Sequence, residues 1–207
     1  MYARTTIIQA DPTKIDDGIA YVRDRIIPAV MELDGCVGMS LLVDRESARC
    51  IAATAWESAD ALRASAEKVR PLRDSAEQIL GTSTSTVDAW EVAVVHRDHA
   101  SPDGACARVT WLSGDPAMAE RAVDVFKMAV LPKVEELDGF CSGSLFINRE
   151  TGRAVGAITF DSRTQLEGSR DAAARIRATA SGELGATVDR VEEMELALAH
   201  LHVPELV

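Results

Sequence analysis

The feature that most constrains this chain is that it contains one stretch twice. Glu32-Leu33-Asp34-Gly35, Ser40-Leu41 and Arg45-Glu46 return as Glu136-Leu137-Asp138-Gly139, Ser144-Leu145 and Arg149-Glu150, at a constant shift of 104 positions. The same shift lays Arg4 on Arg108, Asp11-Pro12 on Asp115-Pro116, Pro28 on Pro132, Arg73 on Arg177, Glu91 on Glu195 and His96 on His200, with no gap. About a quarter of the aligned positions are identical, which chance does not leave over such a length, so the chain is a tandem duplicate of one module. Its 207 residues then divide into a first copy at 1–97, a polar linker with proline and glycine at 98–105, and a second copy at 106–207.

Each copy reads as βαββαβ. Arg4, Thr6 and Ile8 alternate with Ala3, Thr5 and Ile7 in a first strand. Asp11 caps a helix that Pro12 opens. Ile15, Ile19, Val22 and Ile26 recur at helical spacing, as do Ala119, Val123, Phe126 and Val130. Pro28 and Pro132 are expected to kink or end that helix, and Gly35 to supply a left-handed stop. A hairpin follows, with strands over 36–43 and 49–56. Ser58 and Ser162 cap a second helix, with Gln165 completing a capping box. Pro71 is expected to break this helix in the first copy. A last strand spans 86–96, alternating Trp90, Val92 and Val94 with Ala89, Glu91 and Ala93.

This order is the ferredoxin-like arrangement, a four-stranded antiparallel sheet with both helices on one face. The other face is left bare, and alternation puts Ile8, Leu42, Leu112 and Phe146 on it. Two copies in one chain bury that surface if their sheets meet face to face. The expected fold class is therefore α+β: two ferredoxin-like modules forming an intramolecular α+β barrel, a pseudo-dimer within one chain, with a higher oligomer left open.

Composition narrows the partners. A net charge of −11 and a pI near 4.8 argue against nucleic acid and against an anionic membrane surface. No apolar run approaches the length of a membrane span and no signal peptide is visible, so a cytoplasmic protein is expected. Cys36, Cys50, Cys106 and Cys141 are then thiols. They show no clustering that a metal site or disulfide framework would need, and are read as small buried hydrophobes. His96 and His200, at strand ends, are expected to face solvent. No phosphate loop, nucleophile elbow, zinc spacing or dinucleotide fingerprint is present.

The βαββαβ order, the helix ending from Pro28 to Gly35, and the hairpin closing in Ala55-Trp56-Glu57-Ser58 together resemble the antibiotic-biosynthesis-monooxygenase group of the dimeric α+β barrel superfamily. The resemblance covers both halves; the second copy departs at Phe160-Asp161-Ser162. It implies two sheets packed into a barrel. It also implies one of several functions: cofactor-independent quinone-forming monooxygenation, haem degradation, isomerisation or ligand binding. The haem-degrading members carry an asparagine on the first strand and an iron-binding histidine on the second helix. Neither is found here, although Trp56 fits their tryptophan position. The cofactor-independent monooxygenases carry an asparagine four residues before that tryptophan, where this chain has Ala52 and Gly156. The resemblance implies no cofactor.

The candidate site residues follow from alternation. Arg4 and Thr6 share one strand face, Ser40 is placed with them, and Glu91 points into the barrel if the Trp90 side packs on the helices. Arg108, Thr110, Ser144 and Glu195 repeat the set. In one reading arginine and glutamate satisfy each other at the barrel wall. In the other they orient a small aromatic or keto ligand, beside Trp56, and Glu91 or Glu195 acts as a base if burial raises its pKa. Ile7/Trp111, Cys36/Phe140, Leu42/Phe146 and Trp56/Phe160 differ between copies, so one of two cavities is expected to be filled and the other open, unless the changes merely compensate core volume. The leading function is a cofactor-independent monooxygenase-like activity on a small aromatic or polyketide-type substrate. The alternative is a non-catalytic small-molecule binding or stress-related protein.

Overall fold

The computed structural model describes residues 1–201 and 204–206; residues 202, 203 and 207 of the second copy, His202 among them, lie outside the described residues. The first copy runs β1 (Tyr2–Gln9), α1 (Ile15–Tyr21), α2 (Ile27–Met31), β2 (Cys36–Asp44), β3 (Arg49–Trp56), α3 (Ala59–Ala64), α4 (Ala66–Ile79) and β4 (Ser85–Arg97). The second runs β5 (Cys106–Ser113), α5 (Ala119–Val125), α6 (Leu131–Glu135), β6 (Phe140–Asn148), β7 (Arg153–Phe160), α7 (Arg163–Gly168), α8 (Arg170–Leu184) and β8 (Thr187–Leu201). The strands form one closed antiparallel barrel in the order β1-β3-β2-β8-β5-β7-β6-β4, with flanking helices. Two ferredoxin-like modules in one chain therefore make the barrel that the duplication predicts.

Two compact units can be distinguished. The first holds Met1–Trp90 and the end of β8 from Leu196; the second holds Glu91–Glu195. The division runs inside β4 and β8, not through the connection between the copies.

Caps and turns form where side-chain chemistry calls for them. Asp11 accepts from the Thr13 N–H and Asp115 from the Ala117 N–H. Ser58 and Ser162 accept from the N–H groups of Ala61 and Gln165. Pro28 does not end its helix. Val22–Ile26 forms a π segment in which the Ile27 N–H reaches back to the Val22 carbonyl. Regular helix then restarts with Pro28 in its first turn, where the missing N–H is not needed. Phe126–Val130 and Pro132 repeat the device.

Pro71 does not break the second helix either. It sits inside α4, exposed, where water can take the carbonyl that proline leaves unbonded. The break falls earlier, between α3 and α4, and recurs in the second copy, which has no such proline. Its cause is the Leu62 carbonyl, which accepts from the Arg4 guanidinium (2.5 Å) and the Ser65 hydroxyl (2.8 Å). The Leu166 carbonyl is taken in the same way by Arg108 and Ser169 (2.7 Å each). A carbonyl held by side chains is diverted from the helix ladder.

Pairing register settles which residues share a face. Arg4 lies opposite Thr54, and Thr54 opposite Met39; Thr5 lies opposite Ala53, and Ala53 opposite Ser40. The Arg4 face carries Ile8, Met39 and Leu41 into one core with Ile15, Val22 and Val30 of the helices. Ile8 thus belongs to the helix-covered face, not the bare one, and Leu112 likewise lines a cavity against the helices. Leu42, opposite Ile51, sits on the other face. Trp90 is on that other face too: its Nε1–H donates to the Thr5 hydroxyl at 2.8 Å. The expectation that the Trp90 side packs on the helices is therefore reversed. The Thr5 hydroxyl satisfies the buried indole N–H on that face.

Gly35 takes φ +77°, and a Cβ there would stand 2.6 Å from the Ala61 Cβ. Gly35→Ala should destabilise the protein by about 1–3 kcal/mol, from a left-handed backbone plus a forced shift against α3. Urea unfolding monitored by circular dichroism measures this. A midpoint unchanged from wild type would mean the stop is not set by glycine.

Candidate functional site

Each unit holds a partly open cavity between its sheet and its own helices. That of the second unit is about 140 Å³ and that of the first about 70 Å³. The larger is walled by apolar side chains, among them Phe126 and Val130 of the π segment, Leu145, Ile158 and Ile176. Its polar groups include Thr110, Arg108 and Arg177. Gly156 belongs to the wall, and a Cβ there would meet Phe126 at an ordinary 3.7 Å. The unequal volumes agree with two non-identical cavities, but the larger one lies in the copy richer in aromatic residues.

Arg108 is held on several sides. It is 4% exposed. Its Nη1 donates to the Ser169 hydroxyl at 2.9 Å and its Nη2 to the Leu166 carbonyl at 2.7 Å. Its Nε and Nη2 reach Glu193 Oε1 at 3.1 and 2.7 Å. The cation stands 5.7 Å from the Phe160 ring centre. Arg170 holds the Glu193 carboxylate from outside, with Nε at 3.0 Å and Nη2 at 2.6 Å from Oε2. Burial works against the Glu193 charge, but the hydrogen bonds from Arg170 and Arg108 outweigh it and hold the pKa below the ordinary value. Burial, then Arg108, lowers the Arg177 guanidinium.

In the first unit Arg4 makes the same inner bonds, to the Ser65 hydroxyl at 3.0 Å and the Leu62 carbonyl at 2.5 Å, over Trp56 at 5.6 Å. Trp56 is fully buried and donates to the Thr54 hydroxyl at 3.0 Å. Burial, then Arg73, pulls the Arg4 pKa down.

The sequence candidates therefore separate. Arg4 with Thr6, and Arg108 with Thr110, line the two cavities. Ser40 and Ser144 do not join them: they lie opposite Ala53 and Ala157, on the other sheet face. Two-residue alternation fixes the faces within a strand, but the relative phase of two strands comes only from register. Glu91 is bound by Arg149, Nε to Oε2 at 2.7 Å and Nη2 to Oε1 at 2.9 Å, and Arg149 also holds Glu120. That hydrogen bond keeps the Glu91 pKa below its ordinary value, the opposite of the shift a buried base needs. Glu195 pairs with Cys106, two positions along from Glu193. The carboxylate that meets Arg108 is Glu193, which the 104-residue shift could not flag because its counterpart is Ala89.

A second cluster also escaped the sequence. His99 Nε2 lies 2.7 Å from Asp161 Oδ1, Cys141 Sγ lies 3.0 Å from the same oxygen, and His99 Nδ1 lies 2.7 Å from Asp98 Oδ2. Hydrogen bonds to Asp161 and Asp98 raise the His99 pKa. Burial, then the Asp161 carboxylate, pushes the Cys141 thiol up to about 12. The ligand atoms of His99, Cys141 and Asp161 lie within 4.8 Å of one another, an arrangement that could hold a metal ion. They are 62 and 20 positions apart in the chain, so no short motif announced them. His96, expected in solvent, is instead only 25% exposed, with Nε2 2.8 Å from Glu135. Among the described residues no helix is long and apolar enough to cross a membrane.

No family model matches the chain. Two Mycobacterium tuberculosis proteins, Rv2557 and Rv2558, are each 50% identical to it, over 207 and 208 residues, covering 100% of this chain and 92% and 88% of theirs. The chain belongs to their family. Solved structures similar to this Rv2557-related chain include a Fusobacterium nucleatum protein, FN1347, at TM-score 0.71 and 10% identity, covering 97% of this chain and 94% of that one. An anthrone oxidase-like protein follows at TM-score 0.68 and 13% identity, covering 100% and 94%. A ferredoxin fold protein from Listeria monocytogenes 4b F2365, described as related to antibiotic biosynthesis monooxygenases, gives 0.54 at 8% identity, covering 94% of each. At such identities the likeness is one of fold: the Rv2557-related chain shares the α+β barrel of these structures.

The depressed Glu193 pKa has a signed consequence. Its contribution to stability is complete above the unfolded value near 4.5 and is lost as pH falls through the lower folded value. Glu193→Gln should cost about 2–3 kcal/mol at pH 7, since it leaves Arg108 buried with half its partner gone. The gap to wild type should close below about pH 4.5. Denaturant titrations across that range check both, and a gap independent of pH would refute the assignment.

Proposed function

We propose that the cavity of the second unit binds a single electron-rich aromatic ring, of phenol or polyketide type, and that the protein oxidises it with dioxygen and without a cofactor. The observation that carries this reading is an apolar cavity of about 140 Å³ with Arg108 and Arg177 among its polar groups. A dry cavity of about 150 Å³ admits benzene, so one ring is the right size. A phenol hydroxyl directed at Arg177 would ionise more readily, because a preorganised cation in a water-poor site favours the phenolate. The phenolate ring then gives electrons to dioxygen. One ring C–H becomes C=O, one atom of oxygen enters the product and the other leaves as water, so that a phenol and dioxygen yield a quinone and water. The protein's share is binding, orientation and charge. The likeness in fold to a protein described as related to antibiotic biosynthesis monooxygenases and to an anthrone oxidase-like protein supports this reading.

The second reading is binding without turnover. It rests on Ala52 and Gly156, which stand where the resembling monooxygenases carry asparagine.

An oxygen electrode with a panel of single-ring phenols and hydroquinones should record uptake matched by quinone absorbance. Gly156→Leu, which fills the cavity, should reduce uptake at least tenfold while leaving the unfolding midpoint close to wild type. Ligand-observed NMR separates the readings: binding lost in Gly156→Leu but no uptake in wild type supports binding alone. Neither binding nor uptake would remove both.

A further inference from the structure

The two copies hold the same buried arginine but close it differently. Arg108 is secured on two sides. Its inner side meets Ser169 and the Leu166 carbonyl, and its Nε/Nη2 edge meets the Glu193 carboxylate. Arg4 has the inner side alone, with Ser65 and the Leu62 carbonyl. The position matching Glu193 is Ala89, which is exposed, and the position matching Arg170, the outer holder of Glu193, is Ala66. Both members of the outer pair are thus missing together. Among the described residues no carboxylate bonds to Arg4, although it is 8% exposed.

A neighbouring charge makes the imbalance larger. Arg73 acts on Arg4 as a second cation, and both line the cavity of about 70 Å³ with Thr6 and Thr54. The carboxylates near Arg73 are Asp74 and Glu77, at 3.9 and 4.0 Å from its Nε, the outer limit of an ion pair. A buried guanidinium presents its Nε/Nη2 edge in the geometry that takes a carboxylate by two parallel hydrogen bonds. The wall of the cavity that Arg4 lines is largely apolar, with Ile8, Val22, Ile26 and Leu41.

We propose that the first unit is a receptor for a small aliphatic carboxylate, whose charge is held by Arg4 and Arg73 where they line the cavity, supplying the counter-ion that Glu193 gives Arg108, and whose short branched tail fills the cavity. The occupant is smaller than the ring assigned to the second unit, because the cavity is about half the volume. The carboxylate is needed because an uncompensated buried cation is unfavourable and an external anion removes that cost. The site is independent of the chemistry proposed for the other unit, so either can fail alone.

Isothermal titration calorimetry with isobutyrate tests it on the full chain, with isobutyramide and inorganic phosphate as controls. Wild type should bind one isobutyrate, and bind isobutyramide and phosphate at least tenfold more weakly. Ala89→Glu restores the internal carboxylate at an exposed position; it should abolish isobutyrate binding and raise the thermal midpoint. Glu193→Ala opens the matching edge of Arg108 and should raise the stoichiometry from one to two. Undiminished binding to Ala89→Glu, no binding to wild type, or equal binding of the amide or of phosphate would each overturn the proposal.

Discussion

A guanidinium that reaches from the first strand of each copy into the helix layer is the interaction on which the rest of the structure depends. Arg4 and Arg108 take the carbonyls of Leu62 and Leu166, and by doing so divide what would be one long helix into α3–α4 and α7–α8. Arg4 and Arg108 also line the cavities of their own units. A charged group this deep is tolerated only with several partners. The partners are therefore shared out among a hydroxyl, a carbonyl, an aromatic face and, in one copy, a carboxylate.

The π segments serve the same end from the other side. Val22–Ile26 and Phe126–Val130 let a helix carry proline without stopping, and their inward residues wall the two cavities. Part of each cavity wall thus comes from a local departure from regular helix. Each departure has a named cause: proline in one case and a diverted carbonyl in the other. Such irregular stretches are where binding sites tend to be built.

The sequence was informative where information is periodic or local. The duplication gave the βαββαβ order, and caps such as Asp11, Ser58 and Ser162 formed as their chemistry requires. Face assignments within a strand were sound, so Arg4 and Thr6 do fall together. What failed was anything that needs strand register or distant contact. Alternation alone does not fix the face of Ser40, exposure lets α4 carry Pro71 without a break, and the cluster of His99, Cys141 and Asp161 joins three separate segments. Glu193 was hidden for a different reason. A search for features common to both copies cannot find the carboxylate that only one of them has.

That asymmetry carries a consequence beyond chemistry. Each compact unit includes strand residues from both copies, because β4 and β8 cross the division. A lone copy would lack part of its own unit and could be completed only by another chain. In such a pair every substitution appears twice, and a change that helps one site is imposed on the other. Joining the copies in one polypeptide lifts that rule. Position 89 can remain alanine while position 193 is glutamate, and two sites descended from one are free to select different molecules.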